Sequence, residues 1–248
     1  VSLDGPGDQA ADYYSQLLEK YPESQHAGTA ALSLGQLLFK RGQYEEAVQR
    51  FHGVLAAQDS QSADAAHWIA ITRLRQGKPE EALQVTKSAL QWAKDTPNLV
   101  NLQMDYADAL YAIPTRLDEA REAYEKIVEE HPQHALAPRA AYNAAFAALQ
   151  AGKLADARKW SELFLNRFPQ DPLRNDVAAV AAEALLQQGE HQAAAQAYRK
   201  LRDADKQNPA FNQWSLRLAT AYYLAGDYAS ASKLLEQELP QLSEDNQK

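Results

Sequence analysis

The sequence contains no cysteine. That absence excludes disulfides, thiol chemistry and cysteine-based zinc sites, and it is compatible with an oxidising compartment. Glycine and proline are sparse, at 10 and 11 among 248 residues, while Ala, Leu, Gln and Glu dominate, a mixture that favours helix throughout. No sustained alternating stretch rich in Val, Ile and Thr reads as a strand. No apolar run approaches the roughly 20 residues of a membrane-spanning helix, so no direct membrane insertion is expected. Lys and Arg form no cluster and the formal net charge is -8. Nucleic-acid binding usually needs a basic patch to displace counterions, so a nucleic-acid partner is not expected. No initiator Met, signal peptide or lipidation cysteine is legible, and Val1 reads as the start of a trimmed or processed chain.

What the sequence does have is a repeat. Leu34 to Phe51, LGQLLFKRGQYEEAVQRF, reads as two short amphipathic helices folded back at Gly42. With Gly28 as position one, the same frame can be laid down again from Ala63, Asn101, Pro138, Asn175 and Asn212. Position twenty is then alanine every time: Ala47, Ala82, Ala120, Ala157, Ala194 and Ala231. Position fifteen is Gly42, Gly77, Thr115, Gly152, Gly189 and Gly226, and position eight is Gly35, Ala70, Asp108, Ala145, Ala182 and Ala219. Antiparallel helices approach closely only where small side chains cross, which assigns positions eight and twenty to the crossing point. Glycine at fifteen permits the positive φ that commonly ends a helix. The first helix of the best-preserved copy is predicted over about 26–41 and its second over about 44–57. A lone helix over about 8–21 precedes them, after a flexible leading segment over 1–7. The expected organisation is a half unit at 8–22 and helical hairpins at 28–61, 63–96, 101–134, 138–171, 175–208 and 212–245.

Leu34, Gly35, Gly42, Tyr44, Ala47 and Phe51, with Pro132 and Pro169 closing units at position thirty-two, resemble the tetratricopeptide repeat. The resemblance covers almost the whole chain. It implies an all-α fold, a right-handed superhelical solenoid of about 13 helices arranged as antiparallel pairs, working as a non-enzymatic scaffold for a protein or peptide partner. The frame starts lie 35, 38, 37, 37 and 37 residues apart, longer than the standard 34, and the aromatic often seen at position four is absent. The longer spacing and the pairs Tyr21-Pro22, His131-Pro132 and Phe168-Pro169 are similar to repeats of bacterial periplasmic proteins tied to outer-membrane assembly. A periplasmic or otherwise exported location is therefore the expectation. Hairpin three departs most, with Asp108 at position eight and Ile113-Pro114-Thr115 in place of the glycine turn, and a local change of superhelix pitch is expected there. The half unit at one end and the lack of a polar capping helix at the other suggest part of a longer protein. An accessory domain of a larger enzyme or membrane-tethered protein is the alternative function. The polar tail after Leu242 is expected to fray.

Searching for chemistry returns no phosphate loop, no G-x-S-x-G elbow and no H-E-x-x-H. His131 and His134 flank Pro132, which breaks the helix that would aim both rings at a metal. No catalytic residue, cofactor or metal ion is implied. Function is then expected from a surface. A rotation of about 100° per residue places positions two, five, nine, twelve and thirteen of each first helix opposite the hairpin core. This inner face carries aromatics, with Phe39, His67, Trp68, Leu74, Tyr142, Phe146, Leu149 and Tyr223 as candidate partner contacts. Either these line an open groove or they are buried against neighbouring repeats. Chaperone-binding members of the family clamp a C-terminal carboxylate with Lys, Asn and Arg at positions five and nine of their first helices. Here those positions hold Leu32 and Gln36, then His67 and Ile71, and the clamp is absent.

Overall fold

The computed structural model describes residues 6–245, with side chains over 9–238. The expected flexible leading residues 1–5 and the last three of the polar tail lie outside the described residues. Among the described residues the chain forms thirteen α-helices and no strand. Contacts divide it into two compact units, Val1–Leu136 and Ala137–Lys248.

The first unit holds α1 (Pro6–Lys20), α2 (Ala27–Lys40), α3 (Tyr44–His52), α4 (Ser60–Arg75), α5 (Pro79–Trp92), α6 (Leu99–Tyr111) and α7 (Leu117–Glu130). The lone helix α1 packs on α2, and α2/α3, α4/α5 and α6/α7 are hairpins. The second unit holds α8 (Ala137–Gln150), α9 (Leu154–Arg167), α10 (Arg174–Gln187), α11 (His191–Ala204), α12 (Phe211–Leu224) and α13 (Tyr228–Asp245), paired as α8/α9, α10/α11 and α12/α13.

The hairpin turns follow from local chemistry. Gly42, Gly77, Gly152, Gly189 and Gly226 all have φ between 70° and 82°, a left-handed geometry that side chains resist. With that twist, the N–H following the glycine reaches back to a carbonyl five residues earlier. Lys78 donates to Arg73 at 2.9 Å and Lys153 to Ala148 at 2.8 Å. The last carbonyls of each first helix are thereby satisfied. Hairpin three solves the turn differently. Pro114–Arg116 form a 3-10 turn closed by the Arg116 N–H on the Ile113 carbonyl at 2.8 Å, with no left-handed residue.

The crossings are as tight as the small residues imply. Ala47, Ala82, Ala120, Ala157 and Ala194 are fully buried. A Cβ built at Gly35 would stand 2.4 Å from the Phe51 ring. Asp108, the large residue at a small position, is accommodated because its carboxylate accepts the hydroxyl of buried Tyr124 at 2.5 Å. Tyr124 occupies the position that Phe51 holds in hairpin one, so the phenol and the carboxylate form a matched pair.

One helix differs from its expected span. α3 ends at His52, not Ala57; Gly53 closes it, and Leu55–Ala57 form a separate 3-10 turn. Glycine costs about 1 kcal/mol within a helix, and the next helix has its own strong start. The Asp59 carboxylate accepts the Ser62 N–H at 2.9 Å, an N-cap that begins α4 a turn early. At hairpin three, α4 and α5 both pack on α6, just as α8 and α9 both pack on α10. The departure there is not a change in which helices meet. An ionic tie also joins the first two hairpins. Glu45 of α3 accepts from Lys78 at 2.8 Å, Arg73 at 2.9 Å and Gln76 at 3.1 Å, and these donors lower its pKa to about 2.

Candidate functional site

The inner positions of the first unit are largely spent on its own packing. Leu32, Leu102, Asp105 and Ala109 are buried. Phe39 meets Tyr44 and Trp68 with ring centroids 5.5 Å apart in each case, and Trp68 stacks on Phe51 at 6.1 Å. Both Phe39 and Trp68 are half-buried against the hairpin-one core, and Leu74 is half-buried as well. The Nδ1 of His67 lies 2.5 Å from a carboxylate oxygen of Asp105, joining α4 to α6. Burial pulls the imidazole pKa down, but the hydrogen bond and charge of Asp105, helped by Asp64, outweigh it and raise the value above the ordinary 6.5.

In the second unit the inner positions gather around a cavity of about 370 Å³. From α8 come Tyr142, Phe146, Leu149 and Gln150; the two rings stack with centroids 5.9 Å apart. From α10 come Asp176, Ala179, Val180, Glu183 and Gln187, and α12 contributes Gln213, Trp214 and Arg217. Asp176, Gln187 and Gln213 are solvent-exposed at the rim, whereas Leu149 and Trp214 are buried at the wall. The two alternatives for the inner face are therefore both realised: a packed surface in the first unit and an accessible depression in the second.

Glu183 organises the floor. Its carboxylate accepts the Tyr198 hydroxyl at 2.8 Å and the Gln187 amide at 3.0 Å, and it pairs with Arg217 Nε at 3.2 Å. Helices α10, α11 and α12 are thus tied at one carboxylate. Burial first, then the Glu183 hydrogen bond and charge, push the Tyr198 phenol well above its usual range, so the hydroxyl stays a donor. The result is an aromatic wall, a small-residue bed and a rim of carboxamides whose donors and acceptors suit a peptide backbone. Among the described residues no group of three or more His, Asp or Glu could hold a metal ion. None of their helices is long and apolar enough to cross a membrane.

Tyr142, Phe146 and Leu149 meet in this cavity as candidates, while Tyr223 lies outside it, 62% exposed and edge-on to Tyr228. Trp214, Arg217 and Tyr198 are among the cavity residues that inner-face counting misses. On α12 positions five, nine, twelve and thirteen are Leu216, Thr220, Tyr223 and Leu224, but the neighbouring arc of the helix faces α10. The spacing of Trp214, Leu218 and Ala221, all buried, carries that rotation. Tyr198 could have been found from its burial, because a buried phenol needs a partner for its hydroxyl.

Comparison with known proteins adds the family. One tetratricopeptide repeat model matches residues 38–106 and 185–247, and a second matches residues 7–49 and 115–172. The chain belongs to the tetratricopeptide repeat family. Tetratricopeptide repeat proteins are generally non-enzymatic scaffolds for protein–protein interaction. Solved tetratricopeptide structures share the fold at low identity. PilF of Pseudomonas aeruginosa is 22% identical, covers 95% of each chain and has a TM-score of 0.58. A tetratricopeptide repeat protein of Parabacteroides merdae is 14% identical over 93% of this chain and 86% of its own, with a TM-score of 0.62. YrrB, described as a tetratricopeptide protein with an unusual peptide-binding site, is 16% identical over 80% of this chain and 95% of its own, with a TM-score of 0.61. No curated protein matches the sequence significantly.

Proposed function

We propose that this protein is a non-enzymatic scaffold that holds a protein segment on the inner face of its second unit. The observation that carries the reading is the cavity between α8, α10 and α12, where stacked Tyr142 and Phe146 stand beside exposed carboxamides. Aromatic anchors beside a polar rim are the arrangement in which a few residues supply most of the binding energy. A peptide is the ligand class that suits this lining, and the description of the structural neighbour YrrB as peptide-binding is consistent with it.

Replacing Tyr142 and Phe146 together with alanine is expected to lower partner recovery from a matched lysate about 30-fold, the loss of about 2 kcal/mol that marks an anchor pair. The melting temperature should stay within about 2 °C, because both rings are only half-buried and a loss of 1 kcal/mol shifts a chain of this size by about 2–4 °C. A large drop in melting temperature with recovery unchanged would make the rings packing residues and remove the groove.

A further inference from the structure

Of the residues that line the cavity between α8, α10 and α12, three are charged: Asp176 and Glu183 on α10 and Arg217 on α12. Asp176 and Glu183 lie about two helical turns apart, so at about 100° and 1.5 Å per residue they share one side of α10, about 10 Å apart along its axis. The two carboxylates are engaged differently. Glu183 is 17% exposed at its side chain and holds Arg217 Nε at 3.2 Å, together with the Tyr198 hydroxyl and the Gln187 amide. Asp176 is exposed at the rim, and its carboxylate pairs with no other described residue. Two carboxylates thus face one guanidinium, and the cavity keeps one negative charge that nothing in its lining neutralises.

The surface between the two carboxylates suits a long basic side chain. Ala179 and Val180 occupy the intervening turn of α10 and also line the cavity. They are small and apolar, a bed on which an aliphatic stem can lie while its charged head stays in water. The rings of Tyr142 and Phe146 form the wall opposite, on α8, and an aromatic face attracts a cation laid against it. Arg217 is a precedent within the molecule: a guanidinium reaching from the adjacent first helix meets one carboxylate of the pair. Asp176 also stands in the first turn of α10, where a negative charge suits the helix dipole. That role is served from any side of the helix and does not account for a position on the cavity side in line with Glu183.

We infer that the protein segment held in this cavity presents an arginine, with its guanidinium on the Asp176 carboxylate and its stem along Ala179 and Val180. The inference rests on the scaffold reading and names the chemistry of the partner. The sign of the charge follows from the cavity itself. An acidic side chain would meet Asp176 at the rim and find Arg217 already held by Glu183. Arginine is favoured over lysine because its planar fork pairs with a carboxylate through two parallel hydrogen bonds and stacks on aromatic rings.

The test uses the full chain, isotope-labelled for NMR, and three capped amino acids as probes. These are the N-acetyl N-methylamides of arginine, of citrulline, which has nearly the same shape without the charge, and of glutamate. In titrations at low salt, the amide resonances of Ala179, Val180 and Gln213 are expected to shift saturably with the arginine probe. Its affinity should exceed that of the citrulline probe about five-fold, the scale of one partly exposed ion pair. Asp176→Asn should make the two probes equal, and Asp176→Glu should keep the preference. Asp176→Asn should lower the melting temperature by at most about 4 °C, the cost of one charge at a helix start, and a purely helix-capping role would leave the probe preference unmoved. No saturable shift at these amides, equal affinity for arginine and citrulline, or a preference surviving Asp176→Asn would overturn the inference. So would tighter binding of the glutamate probe, because Arg217 would then be the recognising charge. If any of these outcomes occurs while Tyr142→Ala with Phe146→Ala still lowers partner recovery, the arginine seat falls and the scaffold reading stands.

Discussion

Gly35→Ala is expected to destabilise the protein by about 2 kcal/mol, although alanine is the better helix former. The added methyl would lie 2.4, 2.7 and 2.8 Å from three carbons of the Phe51 ring. That ring is completely buried and has no free space to turn into. Overpacking of this kind costs about 3 kcal/mol, and helix propensity returns about 1 kcal/mol. Removing the obstacle should reverse the sign. In a Phe51→Ala background, itself weaker by about 4 kcal/mol, Gly35→Ala has space for its methyl and should stabilise by up to about 1 kcal/mol. Urea unfolding of the four proteins gives the coupling energy, expected at about 3 kcal/mol. Additive effects would mean that the α2/α3 crossing is not set by the contact of residues 35 and 51.

Removing His67 is the second large effect. His67→Gln is expected to lose about 2 kcal/mol at pH 6, the scale of a hydrogen bond to a charged group, since the Asp105 side chain is only 7% exposed. The loss should depend on pH. The imidazole pKa is raised in the folded chain, so its contribution is complete below the unfolded value of 6.5 and declines as pH rises through the folded value. The charges acting on the ring are Asp105 from α6 and Asp64 one turn back on α4. Asp64 is itself raised by burial, from 3.8, and that shift acts on stability in the acid range. The stability difference between the native protein and His67→Gln should therefore shrink from pH 6 to pH 9. A difference that stays constant across that range would show that protonation of His67 does not support the α4–α6 seam.

The two effects illustrate what the sequence could and could not reveal. The Gly35–Phe51 crossing was legible because close packing demands small residues at fixed repeat positions, and six alanines at position twenty satisfy that demand with no knowledge of coordinates. The five glycine turns were legible for a similar reason, since left-handed backbone leaves little choice of residue. The His67–Asp105 bond was not, although both residues were assigned to the inner face. Residues 38 positions apart meet only once successive first helices are laid side by side, and an inner-face assignment does not state which residues bond across them. The same gap hid the Glu183 hub, whose partners come from α10, α11 and α12. Asp108 looked like an irregularity because position eight was read without its neighbour across the hairpin; Tyr124 makes it a pair.

At the candidate site, counting positions found the α8 wall of Tyr142, Phe146 and Leu149 but misplaced the inner arc of α12. A frame rigidly carried over 37-residue steps ignores small rotations of individual helices, and a single position turns a side chain by about 100°. Consequently Trp214 and Arg217 close the cavity, while Leu216 and Tyr223 turn to the adjoining side. The division of the chain after Leu136 was likewise not signalled by the repeat frame, which runs through it without a break.

Site-specific photo-crosslinking tests the central claim, that a protein partner is held on the inner face of the second unit. A photoreactive phenylalanine analogue would replace Gln150 or Gln213 at the rim of the cavity, and Glu162 or Lys200 on the exposed sides of α9 and α11. Adducts with one partner species from the two rim positions, competed away by unlabelled native protein and missing from Glu162 and Lys200, are the result expected. Adducts forming from Glu162 or Lys200 while both rim positions stay silent would contradict the claim.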